Sequence, residues 1–157
     1  MKITIKTMFC PVDFSETSNL AMRYAVALAR MNNSALTLLH VVAPPVASLP
    51  GEAGLLAVPQ ADVTEIAQAC GERLDRIIAD IPDQNVPINR EVVSGFPYLE
   101  IVRFANDHDI DLIVMGSRGR SGLSHLFLGS VAERVLRKAP CPVLTVKERC
   151  KIKIEND

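Results

Sequence analysis

Two hydrophobic periods alternate along this chain. Ile3–Val12 is a run of apolar and β-branched residues that stops at Asp13, as a strand does. Ser15, Thr17 and Ser18 follow as candidate helix caps. Across Asn19–Met31 the apolar residues Leu20, Tyr24, Ala27/Leu28 and Met31 recur at helical spacing, and Asn32-Asn33 ends that helix. Ala35–Val42 is a second, continuously apolar strand of the kind buried on both faces. Asp62 caps the next predicted helix, which carries a stripe of Val63, Ile66, Cys70, Leu74, Ile77 and Ile81 and stops at Pro82. Pro87–Val93 predicts a third strand. Phe96–Asp107 predicts a helix with Leu99, Val102 and Ala105 on one face. Asp111–Met115 predicts a fourth strand. Gly129–Lys138 predicts a helix with Val131, Val135 and Leu136 inward, and Pro142–Val146 a fifth strand.

Strand and helix therefore alternate β-α-β-α-β-α-β-α-β. Right-handed crossovers turn that alternation into a parallel sheet with helices on both faces. The expected fold is α/β: an open, Rossmann-like five-stranded parallel sheet, order 3-2-1-4-5, in a single domain over residues 1–147 with a tail at 148–157. Residues 43–61 break the pattern. Pro44, Pro45, Pro50, Pro59, Gly51 and Gly54 rule out one regular element, while Leu55, Leu56 and Val58 are costly to expose. A long loop partly folded over something is the expectation.

The length, 157 residues, suits one domain with a proper core, and 48% hydrophobic with 22% charged residues is a globular composition. A net charge of -1 gives no electrostatic footprint for nucleic acid or an anionic membrane, and 4% aromatic residues give no stacking surface for RNA. The start Met1-Lys2-Ile3-Thr4-Ile5-Lys6 lacks a signal-peptide pattern, and no stretch approaches the roughly 20 apolar residues of a membrane span. A cytoplasmic location is expected. Cys10, Cys70, Cys141 and Cys150 form no C-x-x-C pair and have no histidine at zinc-site spacing, which suggests reduced thiols.

Candidate chemistry concentrates after strand four. Gly116, Gly119, Gly122, Gly129 and Ser130 stand there in the spacing G-x2-G-x9-G-S. Glycines after a strand let backbone N–H groups approach a phosphate, and a helix start favours an anion. Ser130 adds a hydroxyl, and Arg118 and Arg120 could add charge-assisted contacts. The loop is neither a Walker A sequence nor a G-x-G-x-x-G fingerprint. Glycines that only permit tight packing are the competing explanation. Asp13 ends strand one. If the order is 3-2-1-4-5, strands one and four flank the switch point, and Asp13 faces the same crevice as the glycine loop. There it would hold ribose hydroxyls, or else act only as an acid at a helix N-terminus.

These segments resemble the universal stress protein family, in its single-domain, ATP-binding form. The resemblance spans residues 3 to 147. It rests on Pro11-Val12-Asp13-Phe14-Ser15-Glu16-Thr17-Ser18, Leu39-His40-Val41-Val42, Asp111-Leu-Ile-Val-Met-Gly-Ser117, Gly129-Ser130-Val131-Ala-Glu-Arg-Val135 and Pro140-Cys-Pro-Val-Leu-Thr-Val146. The intact G-x2-G-x9-G-[ST] spacing marks the nucleotide-binding branch. The resemblance implies that Asp13 meets ribose, that Pro11 and Val12 line the base pocket and that Val41 meets adenine through its backbone. It implies that Met115-Gly116-Ser117-Arg118-Gly119-Arg120-Ser121-Gly122 wraps ribose and phosphates, and that Gly129, Ser130 and Val131 bind the phosphate tail. It also implies a homodimer and a link to stress survival. The tail from Glu148 to Asp157 runs beyond the family's usual end.

Other candidates are weaker. His40, in a buried strand, is expected to be a hydrogen-bonded core residue. His108 should be solvated, and His125 lies in the phosphate loop. The acids Asp80, Asp83, Asp107, Asp109 and Asp111 fall at turns and helix ends, where acids are usually solvated. No residue set has metal-ligand spacing, so any Mg²⁺ should be held by nucleotide phosphates and water. Three functions remain. One is an ATP-binding regulatory module whose occupancy tunes conformation or partners. The second is a slow ATPase or self-phosphorylating enzyme with Ser121, Ser124 or Ser130 as acceptor. The third is an interaction protein with a vestigial pocket. No catalytic set is apparent. As an edge strand, Pro142–Val146 is short of charge and invites pairing with a second copy. The tail alternates Cys150, Ile152 and Ile154 with Lys151, Lys153 and Glu155. That period suggests a strand that caps the edge or crosses to a partner.

Overall fold

The computed structural model describes residues 3–43, 60–82, 86–118 and 128–148. The elements run β1 (Thr7–Pro11), α1 (Glu16–Asn32), β2 (Ala35–Val42), α2 (Gln60–Ala79), β3 (Ile88–Ser94), α3 (Pro97–Asp107), β4 (Leu112–Gly116), α4 (Ser130–Lys138) and β5 (Val143–Val146). All pairings are parallel, in the order β3-β2-β1-β4-β5. The expected α/β fold and strand order are therefore present. The chain leaves β1 toward β2 on one side and returns across it to β4 on the other, which sets the switch point between β1 and β4.

Side chains alternate across the sheet and make two cores. Met8, Cys10, Leu36, Leu38 and Val114 pack with Ala21, Ala25, Ala29 and Leu74 on the α1/α2 face. Phe9, Leu39, Ile113 and Met115 pack with Ile101, Ala105, Ala132 and Val135 on the α3/α4 face. Cys10 is fully buried, and burial alone pushes its thiol far above the ordinary range, so it behaves as a small hydrophobe. Cys70 and Cys141 are also free thiols.

Several element ends and faces differ from expectation. β1 begins at Thr7 rather than Ile3, and α2 begins at Gln60, two residues before the expected cap Asp62. Ile66, Leu99, Leu136 and Met31 are exposed. At 100° per residue, Leu136 is rotated one step from buried Val135, and Leu99 stands about 200° from buried Ile101. The inner stripes of these short helices are thus narrower than the run of apolar letters. The segment 44–59 and the tail beyond Glu148 lie outside the described residues. No described helix is long and apolar enough to cross a membrane.

Asp111 departs most from its expected role as a solvated turn acid. Its Oδ2 accepts from the amides of Lys6 at 2.7 Å and Thr7 at 3.0 Å, and from Thr7 Oγ1 at 3.2 Å. These bonds fasten the start of β4 to the start of β1 and hold the carboxyl below its usual range. A lowered folded-state value means the stabilisation is complete above the unfolded value near 3.9 and fades as pH falls through the folded one. Asp111→Asn should therefore cost about 1 kcal/mol at pH 7, the lower end for bonds to a charged group because the site is exposed. The difference in urea midpoint from wild type should shrink progressively as pH is lowered below about 3.9; a difference independent of pH would assign the effect to packing.

Candidate functional site

The carboxyl ends of β1 and β4 meet two helix starts, and these starts are built differently. After β1 the chain turns through Asp13-Phe14-Ser15. Asp13 Oδ1 accepts from the Ser15 amide at 3.0 Å and from Ser15 Oγ at 2.6 Å. Ser15 is the N-cap of α1, and its side chain accepts from the Ser18 amide at 3.2 Å. The N-terminus of α1 is thus partly satisfied by its own residues. One Asp13 oxygen serves this turn; Oδ2 has no partner among the described residues.

The start of α4 receives no side-chain cap from its own N-cap residue. Its N-cap is Gly129, which has no side chain to cap with, so the amides of Ser130, Val131 and Ala132 depend on groups outside the helix. Ser117 fixes where this start lies. Its amide donates to Val146 O at 2.8 Å and its carbonyl accepts from the Gly129 amide at 2.8 Å. That second bond brings the two ends of the glycine-rich segment together at the tip of β4. The positive end of the α4 dipole therefore sits beside the switch point, where an anion is favoured.

A third contact locks β4 to α1. Thr17 Oγ1 donates to Arg118 O at 2.8 Å. Beneath it, Gly116 lies so close to α1 that an added Cβ would stand 3.0 Å from Thr17 C and 3.1 Å from Ser18 N. Gly116 therefore serves close backbone approach, a structural role that the glycine spacing alone did not separate from phosphate binding.

The remaining site candidates fall into three groups. Val12 is 2% exposed, its side chain is in the α1/α2 core and its amide donates to Leu39 O at 2.8 Å. Pro11 is buried at the end of β1, and Met115 belongs to the α3/α4 core. Val41 and Val131 are half-buried and pack against that second core from β2 and α4. Arg118 is near the crevice, with its guanidinium 3.6 Å from the Glu148 carboxylate at the end of β5. Gly119, Arg120, Ser121 and Gly122, with Ser124 and His125, lie outside the described residues. The structure thus gathers Asp13, Gly116, Ser117, Arg118, Gly129 and Ser130 around one switch point through β1, β4 and the contacts above.

His40 is buried as expected, and its Nδ1 donates to Val12 O at 2.6 Å. His108 is exposed but not merely solvated: it stacks on Phe104 with ring centroids 3.9 Å apart. Sequence reasoning missed Thr17 as the tie to β4 and Phe14 as a residue with positive φ. Thr17 was visible only as a cap candidate, and nothing in the letters announced the conformation of Phe14.

Known proteins share this architecture. Universal stress protein MJ0577 of Methanocaldococcus jannaschii is 31% identical over 160 residues, covering 95% of this chain and 99% of the relative. Its solved structure gives a TM-score of 0.70 over 94% of this chain and 99% of that one, at 28% identity. Universal stress protein UspA of Lactobacillus plantarum gives a TM-score of 0.73 at 25% identity, covering 92% of this chain and 99% of its own. A universal stress protein solved in complex with cAMP gives a TM-score of 0.60 at 25% identity, covering 92% of this chain and 98% of its own. Residues 4–147 match the model of the universal stress protein family, and with that match across nearly its whole length the chain belongs to the family.

Proposed function

We propose that this protein is an ATP-binding regulatory module of the stress response, in which nucleotide occupancy tunes conformation or partners. The observation that carries the reading is the Gly129–Ser117 hydrogen bond of 2.8 Å, which seats the uncapped start of α4 beside the β1–β4 switch point. A related universal stress protein holds cAMP, an adenine nucleotide, in its solved structure. In this chain Asp13 Oδ2 would accept from ribose hydroxyls, and Val41 would meet adenine through its backbone at the end of β2. Pro11 and Val12 would border the base side through their backbone at the end of β1, since both side chains are buried. Met115 to Gly122 would follow ribose and phosphates, and the amides at Gly129, Ser130 and Val131 would receive the phosphate tail. Mg²⁺ would be held by phosphates and water; the described residues contain no cluster of three metal-ligating side chains.

Small molecules released by denaturing the purified protein test this directly by mass spectrometry. An adenine nucleotide is expected, and a different ligand class would overturn the reading. The second reading is slow ATP hydrolysis, which single-turnover release of ADP would detect. Asp13→Ala should weaken ATP and adenosine to a similar degree, about tenfold, as expected when one charged hydrogen-bond partner is lost. The 2′-deoxy form of ATP should bind more weakly than ATP; equal binding would remove the 2′-hydroxyl from the contact.

A homodimer through β5 belongs to the same proposal. β5 is an edge strand, and Leu144 on it and Leu136 on the adjoining α4 are exposed apolar residues. Light scattering should give twice the chain mass. Truncation after Lys147 should weaken that dimer if the tail crosses to the partner.

A further inference from the structure

Phe14 has φ 64°, in the left-handed region that bulky side chains avoid. Such a conformation persists only where its surroundings hold it, and it recurs at ligand clamps. Its side chain packs against the α1/α2 core, and two further side chains meet its ring. The guanidinium carbon of Arg73, on α2, lies 4.1 Å from the centre of the Phe14 ring, within cation–π range. His40, on β2, brings its ring to 4.6 Å from the Phe14 ring, centroid to centroid. His40 is itself fixed: it is 7% exposed and its Nδ1 donates to Val12 O.

The residues on either side of Phe14 are those of the candidate site. Asp13 precedes it and Ser15 follows, joined by the two hydrogen bonds to Asp13 Oδ1. A change in φ at Phe14 would swing Asp13 relative to Ser15 and break both. We infer that Arg73 is a positioning residue for the nucleotide site: with His40 it holds the Phe14 ring, and the ring holds the turn that presents Asp13. This inference rests on the nucleotide reading above. Arg73 is exposed on α2 and, among the described residues, reaches the site through Phe14.

The test is calorimetric titration of ATP into the full chain, with thermal unfolding of each variant. Phe14→Ala keeps the left-handed penalty without the ring contacts and should weaken binding about tenfold. Phe14→Gly takes that φ freely and should lose less than Phe14→Ala. Arg73→Gln should weaken binding about threefold, the size of an exposed cation–π contact, with little change in melting temperature. Arg73→Lys should restore most of that loss. Wild-type affinity in Arg73→Gln, or equal losses in Phe14→Ala and Phe14→Gly, would overturn the inference. If the wild-type chain itself binds no ATP, the nucleotide reading fails separately. The clamp is then read from amide exchange at Ser15 and Ser18, the donors within the turn. Faster exchange in Arg73→Gln than in wild type upholds the clamp, and unchanged exchange overturns it.

Discussion

Gly116→Val should destabilise the protein by about 3 kcal/mol, the upper part of the range for forcing side-chain volume into a packed site. The atoms that a Cβ would meet are Thr17 C, Ser18 N and Thr17 O, at 3.0–3.1 Å. All three are backbone atoms of the first turn of α1, so no rotamer change can make room. The helix cannot simply slide away, because Thr17 Oγ1 is bonded to Arg118 O immediately after β4. The substitution should therefore push α1 from β4 and widen the switch point, lowering the denaturant midpoint and weakening nucleotide binding together. An unchanged midpoint would mean that α1 and β4 are not rigidly joined.

Gly129→Val should do the reverse, sparing the fold and abolishing ATP binding. Gly129 has φ -63° and ψ 147°, an extended conformation open to any residue. The stability cost should be about 1 kcal/mol, the difference between a glycine and a branched side chain at an N-cap. A branched side chain at the start of α4 would stand where the proposed binding mode brings phosphates to the amides of Ser130 and Val131. Affinity should fall at least about a hundredfold, or about 2.7 kcal/mol. Gly119→Val should act similarly. Unchanged affinity in both variants, measured by calorimetry, would show that the ligand binds elsewhere.

The contrast between these two glycines marks what could be read from sequence. Both sit in one spacing pattern, yet one meets a helix backbone and the other caps a helix. A motif reports that glycines recur, whereas the reason for each depends on what the fold brings opposite. The strand order was legible because continuous apolar runs such as Ala35–Val42 and the alternation of elements leave few arrangements for a parallel sheet. The caps were legible where the chemistry is local, as at Ser15. Contacts between distant residues were not. Asp111 resembled any turn acid until Lys6 and Thr7, at the entrance to β1, supplied two amides from 105 and 104 positions away. The exposed faces of Met31, Leu99 and Leu136 were misread because an apolar letter at helical spacing does not say how wide the facing surface is. Phe14 and Arg73 are 59 positions apart in the numbering, and only α2 packing against β2 and β3 brings them together.

The central claim is that the β1–β4 switch point takes an adenine nucleotide by its phosphates at the start of α4. Calorimetric titration of the full chain with ATP, and separately with adenosine, tests it most directly. Saturable binding of one ATP per chain is predicted, with adenosine weaker because it brings no phosphate to the amides at the start of α4. No saturable heat with ATP, or adenosine bound as tightly as ATP, would contradict it.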